Sequence, residues 1–238
     1  MKSKIPKLLI LMFTFIIALS GCKKDSEVKT YSCNSEVDSW VKSNLSKIKS
    51  MERLDILNYP SIYQKGIFRA STPEKRLIFW QEKLDEVLSL EWFEYERLHI
   101  LMLKSEIGIN WFDESLSPNA KEDKIIFMSE WLKFGMEELR WSKALIHSML
   151  VVLETNKSDN GFLMESVRIQ TDKNFKVDPY YGDCECGQSD DWCDIPGTGG
   201  DLAYCKEDND CSASSLGCGT LWLSPCDGMC ELGMANPG

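Results

Sequence analysis

The apolar positions between residues 34 and 155 recur at three- and four-residue steps, the period of a helix with one buried stripe. The clearest run opens at Ser71-Thr72-Pro73-Glu74. Ser71 is a good N-cap, Glu74 completes a capping box, and Pro73 sits in the first turn, where its missing N–H costs nothing. Leu77, Trp80, Leu84 and Leu88 then define the inward face. Ser89 is expected to cap a second helix whose face is Trp92, Tyr95, Leu98 and Met102, with Gly108 as its stop. Ser117-Pro118 opens a third run through Ile125, Met128, Trp131 and Leu132. Gly135 is expected to break or bend the chain before Leu139, Ile146 and Leu150. Short connections between such helices favour antiparallel neighbours, which predicts a small helical bundle.

The pattern fails at both ends of this region. Lys2, Lys4 and Lys7 precede an apolar stretch from Leu8 to Leu19, too short to span a bilayer comfortably and of the length of a secretory signal. From 156 onward a turn-rich break, Asn156 to Gly161, gives way to weak alternation over Phe162–Gln170. Beyond it, eight cysteines crowd into the last quarter of the chain. The expected organisation is a signal peptide over 1–21, a tether over 22–33, a helical domain over 34–155, a linker over 156–183 and a cysteine-rich module over 184–238. The fold class expected is mainly α: a small helical bundle followed by a compact disulfide-rich C-terminal module with little regular secondary structure.

Leu19-Ser20-Gly21-Cys22 resembles the lipobox of bacterial lipoproteins. The resemblance implies that Cys22 is lipidated and is the first residue of the mature chain, held to a membrane by its acyl chains. Lys23-Lys24-Asp25-Ser26-Glu27 partly resembles the signal that sends such lipoproteins to the cell surface. The expected location is therefore the cell envelope, as an outer-membrane lipoprotein with surface exposure favoured.

Export changes how cysteine reads. In an oxidising compartment Cys184, Cys186, Cys193, Cys205, Cys211, Cys218, Cys226 and Cys230 are disulfide candidates, and fifty residues with few aliphatics need such bridges to hold together. Eight cysteines allow 105 pairings, and spacing does not choose among them. Cys33 is the odd thiol: free, paired between chains, or displacing a partner within the cluster. The module lacks C-x2-C units and histidine, so zinc is disfavoured. Glu207-Asp208-Asn209-Asp210 and Ser189-Asp190-Asp191 read as solvated acidic surface rather than calcium loops. No metal and no cofactor is expected.

The charge is concentrated in the same place. Residues 177–238 hold twelve acidic side chains and one base, Lys206, which accounts for essentially all of the chain's net charge of −10. Such a segment is repelled by phosphate backbones, so nucleic acid is excluded as a partner. The expected partners are the membrane, through the anchor, and a bacterial surface target or protein. Six of the eight tryptophans, together with His99 and His147, fall inside helical runs and read as core packing. The chain shows no nucleophile elbow, P-loop, dinucleotide fingerprint or H-E-x-x-H, and the expectation is a protein that is not an enzyme.

Cys184-x-Cys186, Asp191-Trp192-Cys193, Gly217-Cys218-Gly219 with Trp222, and Cys226-Asp227-Gly228-Met229-Cys230 together resemble the cysteine pattern of the fulvocin C-related bacteriocin family. Tyr63 to Phe68 and Ser71 to Lys75 also look like its longer lipoprotein members. The resemblance implies a disulfide-knotted module with bacteriocin-like antibacterial activity. The alternative is a non-toxic cell-surface binding or envelope interaction protein, favoured by the lipid anchor, the preceding helical domain and the module's acidity.

Overall fold

The computed structural model describes residues 29–115, 118–165, 183–184, 203–207, 216–226 and 228–232, with the backbone alone for 118–121, 183–184, 203–207 and 229–232. The chain is mainly helical. Among the described residues the helices are α1 (Ser35–Ser43), α2 (Leu45–Ile48), α3 (Arg53–Ile56), α4 (Ser61–Ala70), α5 (Pro73–Leu88), α6 (Glu94–Glu106), α7 (Pro118–Glu137) and α8 (Lys143–Leu150), with a 3-10 turn at Ile109–Phe112. Short strands β1 (Asp183–Cys184), β2 (Ala203–Glu207) and β3 (Gly228–Leu232) form an antiparallel sheet in the order β1-β3-β2.

Helix α5 is the central element. Trp80, Leu84 and Leu88 are buried as the periodicity predicts, joined by Phe79 and Val87. Its N-cap is Thr72 rather than Ser71: Thr72 Oγ1 accepts the Lys75 N–H at 3.4 Å. Pro73, with its fixed φ, occupies the first helical position, which makes the residue before it the cap. The Ser71 hydroxyl turns back instead and donates to the Ile67 carbonyl at 2.9 Å. At the other end Ser89 closes α5 rather than opening α6, and its hydroxyl donates to the Glu86 carbonyl at 2.6 Å.

Helix α6 buries a different stripe from the one expected. Tyr95, Leu98 and Met102 are 56%, 58% and 46% exposed, while His99, Ile100 and Leu103 face inward. Two apolar stripes coexist in Glu94–Glu106, and tertiary contact selects between them. The His99 ring stacks on Trp131 of α7 at 4.5 Å and 6°, and the pair exchanges two hydrogen bonds: Trp131 Nε1 donates to the His99 carbonyl at 2.9 Å, and His99 Nε2 lies 3.0 Å from the Trp131 carbonyl. Helix α7 runs through Gly135 without a break. A Cβ there would lie 2.8 Å from the Trp141 ring, so the glycine admits a tryptophan rather than ending the helix. The turn comes later, at Arg140, with φ 60°. Where the weak alternation over Phe162–Gln170 allows a short strand, the described part shows one bridge, Lys157 to Leu163.

The core collects α1 to α8 around α5 and does not end with them. Leu216, Leu221 and Trp222, from the segment assigned to the cysteine module, belong to the same buried cluster as Phe68, Trp80 and Leu150. Among the described residues no helix is long and apolar enough to cross a membrane.

Candidate functional site

The cysteine segment meets the helices at residues 216–226. A disulfide joins Cys218 to Cys226, closing a loop of short span. Inside it Cys218 and Ser224 exchange backbone hydrogen bonds of 3.0 and 2.9 Å, and the Gly217 N–H donates to the Trp222 carbonyl at 2.8 Å. The loop is tight enough to force Leu221 and Trp222 to φ 54°, a left-handed conformation that costs bulky residues about 1–3 kcal/mol each. Their burial offsets that strain. Leu221 and Trp222 are almost completely enclosed, and full burial of such a side chain contributes about 1.5–3 kcal/mol.

Trp222 is held from three sides. Its ring meets Phe68 of α4 at 5.1 Å and Trp80 of α5 at 5.6 Å, both edge-on, and its indole N–H donates to the Val151 carbonyl at 2.7 Å. Val151 directly follows α8, so one tryptophan from the end of the chain ties together three helices.

Arg69, at the end of α4, holds the same loop from below and is fully buried. Nε donates to the Leu216 carbonyl at 3.0 Å and Nη1 to the Tyr31 carbonyl at 2.6 Å. Nη2 lies against both sulfurs of the disulfide, 3.8 Å from Cys218 Sγ and in contact with Cys226 Sγ. The planar fork thus joins the first described stretch of the chain to the 216–226 loop. Gly217 makes the approach possible: its φ is +121°, and a Cβ there would lie 2.1 Å from Arg69 Nε. Cys33, left without an assigned partner by the sequence, is disulfide-bonded, and its sulfur lies 4.0 Å from the Cys226 carbonyl.

Three more buried cations support this arrangement from α3 and α5. Arg76 donates to the carbonyls of Phe68, Arg69 and Phe112 at 2.9, 2.7 and 3.1 Å, and to Glu114 at 2.8 Å. Burial pushes the Glu114 carboxyl up, but the Arg76 hydrogen bond and charge outweigh it and hold the group below its ordinary value. Arg53 grips Glu86 through both oxygens at 2.7 and 2.6 Å and also donates to the Leu153 carbonyl; its hydrogen bonds hold Glu86 low. Lys83 donates to the Glu154 carbonyl. Burial first, and the nearby Arg53 charge second, lower its pKa to about 7 against the pull of Glu86 and Glu154. These cations cap carbonyls of irregular segments that hydrophobic packing alone would leave unsatisfied. Sequence reasoning passed over them, although Arg69, Arg76 and Lys83 recur every seven residues beside Phe68, Trp80 and Leu84.

The remaining cysteines fall as follows. Cys205 and Cys230 are Cα partners across β2 and β3, and Cys184 pairs with Gly228 across β1 and β3. Cys22, Cys186, Cys193 and Cys211 lie outside the described residues, as do the acidic clusters at 189–191 and 208–210. His99 packs as expected, its pKa lowered by burial against the opposing hydrogen bond to Trp131, and His147 is also buried. Among the described residues no cluster of His, Cys, Asp or Glu is arranged to hold a metal ion.

No family model, curated protein or solved structure matches the chain.

Proposed function

We propose that this is an exported, lipid-anchored envelope protein that displays its fulvocin C-like cysteine segment on a helical body and acts by binding at the bacterial surface, without catalysis. The observation that carries this reading is Trp222, 1% exposed between Phe68 and Trp80. A module that detached to act alone would pull this tryptophan into water and strip the buried Arg69 of the Leu216 carbonyl and both disulfide sulfurs, so the cheaper state keeps the module in place.

The reading is tested in a Cys33→Ser variant, which removes the covalent link between the two parts, by inserting a specific protease site between residues 166 and 182 and cutting the oxidised protein. The two pieces are expected to co-elute under non-reducing, non-denaturing conditions. Spontaneous release of the C-terminal piece contradicts the reading. It favours instead a releasable bacteriocin, for which the cysteine pattern speaks; that second reading requires the released piece to inhibit growth of related bacteria and to lose this activity on reduction.

A further inference from the structure

We infer that the end of the helical body nearest the lipid anchor, carrying Ile78, Ile109, Ile125 and Ile126, docks directly on the bilayer surface that holds the acyl chains. The inference rests on the proposed lipidation of Cys22 and adds to it a defined contact face.

The argument begins with reach. Seven residue steps separate Cys22 from Lys29, the first described residue. In any conformation they span at most about 25 Å. Lys29 is fixed to the body by an ion pair of its Nζ with Glu114 Oε1 at 3.2 Å, and Glu114 is also held by buried Arg76. The tether therefore leaves beside the 3-10 turn at Ile109–Phe112 and keeps that end of the molecule close to the membrane.

That end carries exposed apolar side chains. Ile109, in the turn, is exposed. Lys124 of α7 donates to the Asn110 carbonyl and Phe127 meets Trp111 edge-on at 5.7 Å, which brings the exposed Ile125 and Ile126 to the same end. Ile78 of α5 is exposed one turn before Gln81, whose amide donates to the Ile107 carbonyl at 3.3 Å. Four exposed isoleucines thus sit on the 3-10 turn and on the two helices packed against it.

Charge decides what kind of contact this is. Glu106, Glu122 and Asp123 are exposed nearby, while Lys29 and Lys104 are engaged with Glu114 and Asp85. Attraction to anionic headgroups is not the driving force; apolar burial is. The contact need not be strong, because an anchored body is always present at high local concentration and a weak second attachment is populated without any free-solution affinity.

The test uses the full chain, purified as the lipoprotein and reconstituted in vesicles of phosphatidylethanolamine and phosphatidylglycerol. A diazirine amino acid replaces Ile125 in one preparation and Phe162 in another. Phe162 is an exposed apolar control near the opposite end of α5, where Glu91 N–H donates to Gly161. Intact mass is measured first: an unlipidated Cys22 overturns the anchoring reading and this inference with it. With Cys22 lipidated, light is expected to attach lipid severalfold more at 125 than at 162, undiminished in 1 M salt, and Ile126→Glu is expected to lower the yield at 125. Equal labelling at both positions, none at 125, or cross-linking of 125 to a second copy of the chain overturns the docking face while leaving the anchor intact.

Discussion

Trp222 donates its indole N–H to the carbonyl of Val151, 71 positions earlier, at 2.7 Å inside the helical core. This one bond changes what the cysteine segment is for. A loop whose largest side chain sits between Phe68 and Trp80 contributes to the stability of the helices, and the helices fix its shape in return.

Replacing Trp222 with Ala is therefore expected to destabilise the whole helical body by about 3–5 kcal/mol, as other large core truncations do. Trp222→Phe keeps most of the packing but leaves the Val151 carbonyl without its donor, a loss of about 1–3 kcal/mol. Urea unfolding followed by far-ultraviolet circular dichroism measures both. A helical signal that melts at the wild-type midpoint in Trp222→Ala would show that the segment is only laid on the surface.

Gly217→Ala is expected to be nearly as damaging, although it adds a single methyl. The new Cβ would lie 2.1 Å from Arg69 Nε at a backbone φ of +121°, so either the loop or the guanidinium must move. The same unfolding experiment should place its midpoint well below wild type.

Arg69→Lys keeps the charge and loses the fork. One ammonium cannot reach the Leu216 and Tyr31 carbonyls and the disulfide sulfurs together, and each buried acceptor left alone costs about 1–3 kcal/mol. The expected result is a lower midpoint and faster reduction of the Cys218–Cys226 disulfide by dithiothreitol, followed by mass after alkylation.

Lys83 predicts a pH dependence of definite sign. Its folded pKa is about 7 against an ordinary lysine value of 10.5. Below pH 7 both states carry the proton and the full burial penalty is present. Between about 7 and 10.5 the unfolded chain binds a proton that the native chain has released, so stability rises with pH, by up to about 1.4 kcal/mol per unit. Tyr63 is raised above its ordinary value of 10.0 by burial and by the Glu36 charge, so it keeps its proton at the pH values measured below. Chemical unfolding at pH 7.5, 8.25 and 9 is expected to show the rise in wild type and a flatter profile in Lys83→Met.

The helices were legible because packing obeyed their period: Trp80, Leu84, Met128 and Trp131 lie inside as their spacing predicts. The face of α6 was not, since Glu94–Glu106 offers two apolar stripes and only the His99–Trp131 stack chooses between them. Gly135 and Ser71 misled for a related reason. Each has a local meaning, breaker or cap, that a neighbour overrides, Trp141 in one case and Pro73 in the other. The docking of Trp222 is a long-range contact in a segment of glycines and cysteines without periodicity, and nothing local announces it. Buried Arg69, Arg76 and Lys83 had a signal, bases at core spacing, that reads as a solvated face until the carbonyls they satisfy are seen.

The most direct measurement is native-state hydrogen exchange resolved to the amides of Gly217, Cys218 and Ser224 and to those of α5, across low concentrations of urea. If the cysteine segment is part of the helical core, all of these amides exchange through the same global opening, with equal free energies and equal urea dependence. Exchange of the 217–224 amides through a separate, low-energy opening, with α5 still protected, would contradict the account and restore an independent module.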